Sequence, residues 1–252
     1  MKLPKNIVIT GANGQSASNL AAELLRQGCN LILLVHDKTD RIQPLLAQFR
    51  NQCKLGKCDL SKFDATSELL TNLIKETDWQ PEGLVHTAAV RSYDAKALSE
   101  SDPALWQEIF FLNISMAYNI LRCVLPGMIE RNLGKIVLFG SNVTRTGLPF
   151  GSAYAAAKSA LANLTRSVAW ETAAENIQIN ILSPAPIETD LESDYSGEYL
   201  KFRQEYFEAY RQSHPAHKLV SLQDVTQAVL SLLNLECNSL SGEEIYLTGG
   251  VL

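Results

Sequence analysis

Seven short strand-like segments, several of them continuous apolar runs, recur along this chain, and their spacing constrains the fold more than any other feature. Each of the first six is followed by a turn and then by a stretch in which apolar residues recur at helical intervals. Continuous apolar runs of this kind are typical of strands buried on both faces of a parallel sheet. The segments lie at residues 6–10, 31–35, 53–58, 83–88, 136–140, 177–182 and 244–247.

The alternation of strand and helix patterns predicts the α/β class, with one doubly wound parallel sheet and helices on both of its faces. Parallel neighbours need right-handed crossovers, and the expected strand order is 3-2-1-4-5-6-7. The chain has 252 residues, of which 46% are apolar, and this suits a substantial core. We therefore predict a single domain that spans residues 1–252.

The composition and charge argue against several functional classes. A net charge of −5 without a basic block argues against nucleic-acid binding and against a membrane surface. No apolar run approaches a membrane span, and strand-like residues from Ile7 onward leave no room for a signal peptide. The five cysteines are odd in number and lack C-x-x-C spacing, so we expect a reduced, cytoplasmic protein without a metal site.

A glycine turn separates the first strand from the first helix. The spacing is G-x-x-G-x-x-A, formed by Gly11, Gly14 and Ala17. Glycines let the backbone approach a pyrophosphate closely, and the helix N-terminus offers free N–H groups and a positive dipole. An ordinary tight turn is the alternative interpretation.

If the chain has a dinucleotide-binding fold, the end of the second strand meets the adenosine ribose of the dinucleotide. Val35 cannot bond a ribose diol, whereas His36 and Lys38 could meet a 2′-phosphate. Asp37 would oppose that phosphate. A solvated charged turn is the alternative.

Two later strand ends supply further candidates. Asp59, which precedes Leu60, either caps the next turn or bonds an adenine amine, and the cap is favoured. The fourth strand ends near His86, and the small residues Ala88 and Ala89 would let a cofactor lie close to the backbone. We interpret His86 as structural, because no histidine or carboxylate lies at metal-ligand spacing from it.

The residues that carry chemistry lie in the second half of the chain. Tyr154 and Lys158 are four residues apart in a predicted helix, so the phenol and the ammonium point the same way. A positive charge nearby brings a phenol with a pKa of about 10 closer to neutral pH. Ser141 follows the fifth strand and could hold a carbonyl oxygen beside Tyr154. Alone, Tyr-x-x-x-Lys is common by chance, and a solvent-facing or water-bound side chain also explains Asn113.

Together, these motifs resemble in order and spacing those of the short-chain dehydrogenase/reductase family, which has a Rossmann fold. The resemblance covers the whole chain, including the proline-containing turn after the sixth strand. The matching residues are Thr10, Gly11, Asp59, Leu60, Asn113, Ser141, Tyr154, Lys158, Pro184, Ile187 and Thr189.

Some positions depart from the family pattern. Gln15 and Ala17 replace glycines, and Ala185 replaces the glycine of a Pro-Gly pair. The stretch from His86 to Ala89 replaces Asn-Asn-Ala-Gly. These departures concern the pyrophosphate site and leave the proton-transfer residues intact.

The resemblance implies an NAD(P)(H)-dependent oxidoreductase that interconverts a carbonyl and an alcohol. Tyr154 would exchange a proton with the substrate oxygen, and Ser141 would hydrogen-bond that oxygen. Lys158 would lower the pKa of Tyr154 and hold the nicotinamide ribose, while Asn113 would anchor a water that passes protons to Lys158. The alternatives are a dinucleotide-binding sensor or scaffold that has lost turnover, and a sugar-nucleotide epimerase or dehydratase.

The resemblance also implies a cofactor-binding set along one edge of the sheet. We expect NADP(H) rather than NAD(H), because Val35 lacks a diol acceptor and His36 with Lys38 offers positive charge. The set comprises Gly11, Asn13, Gly14, Gln15, Ser16, His36, Asp37, Lys38, Asp59, Leu60, Ala88, Ala89, Tyr154, Lys158, Pro184, Ile187 and Thr189.

An aromatic segment at about residues 190–216 lies where related enzymes place their substrate-binding segment. Its aromatic residues recur at helical steps, so they form one face of a helix. That face either packs on the core or lines the substrate pocket, and we predict a medium-sized or bulky, largely apolar carbonyl substrate. The aromatic residues are Tyr199, Phe202, Tyr206 and Tyr210. The charged residues expected to face solvent are Lys201, Arg203, Glu205 and Arg211.

The family usually pairs the helices that carry Asn113 and Tyr154 across a two-fold axis. Apolar residues on these helices, beyond a single core-facing stripe, favour a homodimer or homotetramer. They are Phe110, Phe111, Leu164 and Trp170.

Overall fold

The computed structural model describes residues 3–91, 93, 95–237 and 239–251. Its strands are β1 (Asn6–Thr10), β2 (Asn30–Val35), β3 (Cys53–Lys57), β4 (Gly83–His86), β5 (Gly134–Phe139), β6 (Ile177–Pro184) and β7 (Glu244–Leu247). They form one parallel sheet in the order β3-β2-β1-β4-β5-β6-β7, which confirms the predicted order.

Helices connect successive strands and cover both faces of the sheet, which confirms the predicted fold class. They are α1 (Gln15–Arg26), α2 (Gln43–Gln48), α3 (Phe63–Thr77), α4 (Pro103–Arg131), α5 (Val143–Thr146), α6 (Ser152–Glu171), α7 (Gly197–Ser213) and α8 (Leu222–Leu233). A short 3₁₀ helix, Leu98–Glu100, precedes α4.

The hydrophobic core has two main parts, one on each face of the sheet. Successive strand residues point to opposite faces. Ile7 and Ile9 of β1 therefore join the part that α1 and α8 cover, whereas Val8 joins the part that α3, α4 and α6 cover. This double burial explains why central strands such as β1 and β2 are apolar runs, whereas the edge strands β3 and β7 are less buried and contain charged residues.

The sequence pattern of residues 39–50 predicts a helix over the whole segment, whereas in the structure α2 covers only Gln43–Gln48. Asp40 and Arg41 bond the glycine turn: the Asn13 side chain donates to the Asp40 carboxylate at 3.0 Å and accepts the Arg41 N–H at 2.9 Å. These tertiary hydrogen bonds hold the residues that precede α2 against the glycine turn. The sequence pattern also predicts that the helix carrying Tyr154 runs to about residue 175, whereas α6 ends at Glu171.

Helix α4 corrects the expectation that no segment approaches a membrane span. By length and composition alone, it is long and apolar enough to cross a membrane. In the structure it is a core helix, with Ala117, Ile120 and Val124 buried against the sheet and with α3 and α6 as neighbours. Its apolar composition is explained by that packing.

The carboxyl ends of β1, β4, β5 and β6 lie side by side, because these parallel strands are neighbours in the sheet. The loops that follow them converge on one edge. Ligands bind at this edge in open α/β sheets, so the fold itself indicates where the site lies.

Candidate active site

A cavity of about 390 Å³ opens at the carboxyl ends of these four strands. Its walls come from the glycine turn, the loop after β4, the start of α6 and the segment that leads into α7. The structure thus brings the glycine turn and the Tyr154 region into one space. The predicted residues that line it are Gly11, Gly14, Gln15, Ser16, Ala88, Ala89, Ser141, Tyr154, Lys158, Pro184, Ile187 and Thr189.

Tyr154 and Lys158 lie on the inner face of α6, and both are buried. Lys158 Nζ lies 5.5 Å from the centre of the Tyr154 ring and donates a hydrogen bond of 2.7 Å to the Phe139 carbonyl at the end of β5. Burial lowers the pKa of Lys158, against the opposing effect of Tyr154. The bond to β5 holds the ammonium in place beside the phenol.

The surroundings of Tyr154 lower the pKa of its phenol. Burial is the largest single influence and by itself raises that pKa. The positive charges of Arg91, Lys158 and Arg203 lower it. A hydrogen bond with Ser141 lowers the pKa further, and together these effects outweigh burial. The phenol is therefore shifted toward neutral pH, as proton exchange with a substrate oxygen requires.

Arg203 lies in the cavity, so its predicted orientation toward solvent is wrong. The residue is 6% exposed, and its guanidinium carbon lies 5.5 Å and 4.5 Å from the ring centres of Tyr195 and Phe207. Its position, four residues from Tyr199 and four from Phe207, places it on the buried side of α7. Helical spacing alone could have located Arg203 on the buried face. Because charged residues are seldom buried, its charge instead led to the prediction that it faces solvent.

Arg91 is a second arginine of the cavity, and the sequence motifs did not predict its place there. It lies in the loop after β4, and its guanidinium carbon lies 5.4 Å from the centre of the Tyr154 ring. Its place shortly after Ala88 and Ala89, at the carboxyl edge of the sheet, is the sequence signal that could have found it. Its side chain also lines the cavity.

The aromatic residues of α7 divide between the two predicted roles. Tyr210 belongs to the core, where its hydroxyl donates to the Thr248 carbonyl at 2.9 Å. Tyr206 lines the cavity, and Phe202 packs with it against the apolar cluster that contains Tyr154. The amino-terminal part of this helix thus contributes to the site, and the carboxyl-terminal part anchors it.

Asn113 is buried in α4, and its side chain holds the loop after β4. Its amide group donates to the carbonyls of Val90 at 2.8 Å and Ile109 at 2.7 Å, and its oxygen accepts the Val90 N–H at 3.1 Å. The solvent-facing alternative is therefore wrong. Because Val90 precedes Arg91, these bonds also help to fix Arg91. A water relay from Asn113 to Lys158 stays a prediction.

The glycine turn has the backbone geometry that a pyrophosphate requires. Gly11 has a φ of +63°, and a Cβ there would lie 2.8 Å from the Ala88 backbone, so glycine is required. Helix α1 follows Gly14 without a side-chain cap and without an acidic residue in its first turn. Its N–H groups and dipole are open to an anion, so this end of the cavity fits the phosphates of a dinucleotide.

Gln15, which departs from the family's glycine, links the glycine turn to the segment after β6. Its amide group donates to the Asp190 carbonyl at 2.7 Å and to the Asp194 carboxylate at 2.8 Å, and its oxygen accepts the Asp190 N–H at 2.8 Å. Arg41 adds an ion pair of 2.7 Å with Asp194. The departure thus has a structural role, because it ties this segment to the glycine turn beside the cavity.

The residues predicted for the adenosine end lie outside the lining of the cavity. His36 and Asp37 are exposed and contact each other at 3.0 Å, and Lys38 is exposed beside them. Asp59 accepts the Ser61 N–H at 2.9 Å, which confirms its role as a turn cap. Their contacts with a cofactor stay predictions. The predicted site residues outside the lining are Asn13, His36, Asp37, Lys38, Asp59, Leu60 and, from the predicted catalytic group, Asn113.

His86 has the structural role that was predicted for it. Its Nδ1 shares a hydrogen bond of 2.8 Å with the Thr10 hydroxyl at the end of β1. Burial, together with the positive charge of Lys158, lowers the pKa of His86 to about 3, so the ring is neutral at ordinary pH. Within the described residues, no group of three or more histidine, cysteine or acidic side chains is arranged to hold a metal.

Comparison with known proteins extends over nearly the whole chain. Residues 12–252 match the family described as Enoyl-(Acyl carrier protein) reductase. The 2-(S)-hydroxypropyl-CoM dehydrogenase 3 of Xanthobacter autotrophicus is 27% identical over 97% of this chain and 95% of its own length. Oxidoreductase UcpA of Salmonella typhimurium is 30% identical over 97% of this chain and 90% of its own length.

Solved structures are similar to this chain in fold. The structure of NAD⁺-bound xylitol dehydrogenase has a TM-score of 0.86, with 20% identity and 98% of both chains covered. That identity is too low to show more than the fold, whereas the family match and the 30% identical relative concern the sequence itself. This chain therefore belongs to the short-chain dehydrogenase/reductase family.

Proposed function

We propose that this protein interconverts a carbonyl compound and an alcohol with NAD(P)(H) as the hydride carrier. One observation carries the proposal: Tyr154, with its lowered pKa, lies in the same cavity as a glycine turn that fits the phosphates of a dinucleotide. Relatives that are named as dehydrogenases and oxidoreductases support the same class of reaction.

The residues of the chain handle the proton and hold the reactants. Tyr154 donates its proton to the carbonyl oxygen in reduction and accepts it from the alcohol in oxidation, while Ser141 bonds the same oxygen. Lys158 keeps a positive charge beside the phenol, and the backbone at Gly11 and Gly14 would hold the cofactor phosphates. When bound, the nicotinamide supplies or accepts the hydride. Placement, charge and exclusion of water are the protein's contribution.

For the choice of cofactor we propose NADP(H). Val35 offers no acceptor for the ribose diol, and Lys38 is exposed at the same strand end. Asp37 lies 3.0 Å from the His36 ring, so the positive charge here is partly offset and the preference is modest. We expect kcat/KM with NADPH to exceed that with NADH by about tenfold, and Lys38→Glu to abolish this ratio.

The measurement follows NAD(P)H absorbance with a panel of ketones, and Lys75→Glu on α3 is the matched control. An NADH preference in the wild type would contradict the proposal and would assign the ribose to Asp37. Cofactor binding without turnover of any ketone would instead favour the sensor alternative.

The cavity walls support a substrate with a largely apolar body. Three apolar or aromatic side chains line the cavity: Leu148, and Tyr206 and Phe207 of α7. Burial of apolar area against such walls is favourable and excludes water from the reacting carbonyl. We therefore propose a medium-sized or bulky carbonyl compound.

We also propose a homodimer or homotetramer, assembled through α4 and α6. Phe111 is 59% exposed on α4 and Trp170 is 85% exposed on α6, and a partner would cover them. Phe110 and Leu164, also predicted for this surface, are half-buried. We expect the double variant Phe111→Glu/Trp170→Glu to be a monomer in light scattering, whereas Leu98→Glu, before α4, keeps the wild-type mass. A monomeric wild type at micromolar concentration would contradict the proposal.

The proposed setting is the cytoplasm, without nucleic-acid or membrane partners. The cysteines are free thiols, and burial raises the pKa of Cys53 to about 12, so this thiol is unreactive. Free thiols of this kind suit a reducing compartment.

A further inference from the structure

Two arginines lie in the cavity beside Tyr154, and neither forms an ion pair with an acidic side chain among the described residues. Arg203 is 6% exposed, and its Nε has no hydrogen-bond partner there. Arg91 lies with its guanidinium carbon 5.4 Å from the centre of the Tyr154 ring. A buried cation without a counter-charge is costly to fold around. The two guanidinium groups therefore keep charge and hydrogen-bonding capacity with which they can bind an anion.

The acidic residue at the cavity wall, Asp194, helps to raise the pKa of Arg91, but its direct contacts are with other residues. Asp194 is the one acidic side chain among the described lining residues. It is already paired with Arg41 at 2.7 Å, and it accepts a hydrogen bond of 2.8 Å from Gln15. Lys158 adds further positive charge to the same space. The cavity thus keeps an excess of positive charge.

Packing holds Arg203 in the cavity before any ligand arrives. Its guanidinium carbon lies 4.5 Å from the Phe207 ring centre and 5.5 Å from that of Tyr195, both within the range of a cation–π contact. A side chain ordered in this way loses little entropy on binding. Its planar fork matches the two oxygens of a carboxylate or the oxygens of a sulfonate.

We infer that the substrate carries an anionic group, a carboxylate or a sulfonate, and that Arg203 and Arg91 bind this group beside the reacting carbonyl. The inference rests on the proposed oxidoreductase function and refines its substrate class. Aromatic walls take the apolar body, and the arginines take the charged end. Because Arg91 lies against the Tyr154 ring, the anionic group lies within a few bonds of the carbonyl, as in a short oxo acid.

The test compares matched pairs of substrates: 3-oxo, 4-oxo and 5-oxo carboxylates, each with its methyl ester, and the oxo sulfonate of equal length. We expect wild-type kcat/KM to favour the best anion over its ester by about a hundredfold. Arg203→Met and Arg91→Met should remove most of this ratio through a higher KM for the anion, and Arg203→Lys should keep part of it. The ratio is the readout, because a change in the pKa of Tyr154 affects acid and ester alike.

Arg211→Met is the matched control. Arg211 lies on the same helix but is surface-exposed beside Glu208, so the ratio should not change. Equal turnover of acids and esters by the wild type would overturn the anion site and leave the oxidoreductase function intact. A loss of cofactor affinity in Arg203→Met and Arg91→Met with an unchanged ratio would assign the arginines to the cofactor and overturn the inference.

Failure of the proposed function would be seen separately, as no turnover of any carbonyl by the wild type. The anion site is then judged by thermal stabilisation of the cofactor complex by the oxo acids. A stabilisation that Arg203→Met abolishes would support the site, and no stabilisation of the wild type would overturn it. The preference between carboxylate and sulfonate identifies which anion the arginines accept.

Discussion

Tyr154→Phe should reduce kcat by about a hundredfold or more and leave the affinity for the cofactor close to that of the wild type. The phenylalanine keeps the ring, which packs with Val143, Leu148 and Ala153, and it removes the proton that the substrate oxygen must gain or lose. The measurements are steady-state turnover of a ketone and fluorescence titration of the cofactor.

Tyr118→Phe is the control for this substitution. Tyr118 is exposed on α4, where its hydroxyl accepts a hydrogen bond of 2.8 Å from Arg122, so turnover should be unchanged. If Tyr154→Phe keeps most of its activity, the phenol is not the acid/base, and another group must transfer the proton.

Lys158→Met should lower the rate of alcohol oxidation at neutral pH by about a hundredfold and move the pH profile to higher pH. Oxidation needs the phenolate of Tyr154 as the base, so activity is present above the pKa of Tyr154 and is lost as the pH falls through it. Lys158 lowers that pKa, and its removal raises it. Each unit of increase costs about tenfold at a fixed lower pH. The methionine also leaves the Phe139 carbonyl without its donor.

The readout is kcat/KM for alcohol oxidation as a function of pH. Partial recovery of activity at high pH distinguishes a raised pKa from general damage to the fold. The shift should be limited, because Arg91 and Arg203 still lower the pKa of Tyr154. Lys201→Met on α7 is the control, since that side chain is exposed beside Glu205. An unshifted profile with a uniformly lower rate would restrict Lys158 to binding the cofactor.

Local spacing was enough to predict the sheet and the Tyr154–Lys158 pair. Strands buried on both faces produce continuous apolar runs, and their alternation with helices leaves few topologies. Residues four apart share a face in any helix, so Tyr154 and Lys158 were expected to face the same way whatever α6 packs against. These features depend on residues that are close in the chain, so they can be predicted from the sequence.

The predictions that the structure contradicts concern residues whose conformation depends on contacts with distant segments of the chain. The helix at 39–50 is shortened where Asp40 and Arg41 bond Asn13, and no periodicity in the segment reveals that partner. Arg203 was expected in solvent because of its charge, whereas the rings of Tyr195 and Phe207 hold it inside. In both cases a tertiary contact outweighs a local preference.

The sequence by itself determined the strand order, the glycine turn and the spacing of Tyr154 and Lys158, because these depend on the alternation of strand and helix patterns or on a short motif. Only the tertiary structure decided the charge of the cavity. Arg91 follows β4 and Arg203 lies on α7, so the chain separates them widely, yet both lower the pKa of Tyr154. Electrostatic effects follow distance through space and burial rather than separation along the chain, and so the folded cavity revealed a cationic site that the order of residues did not.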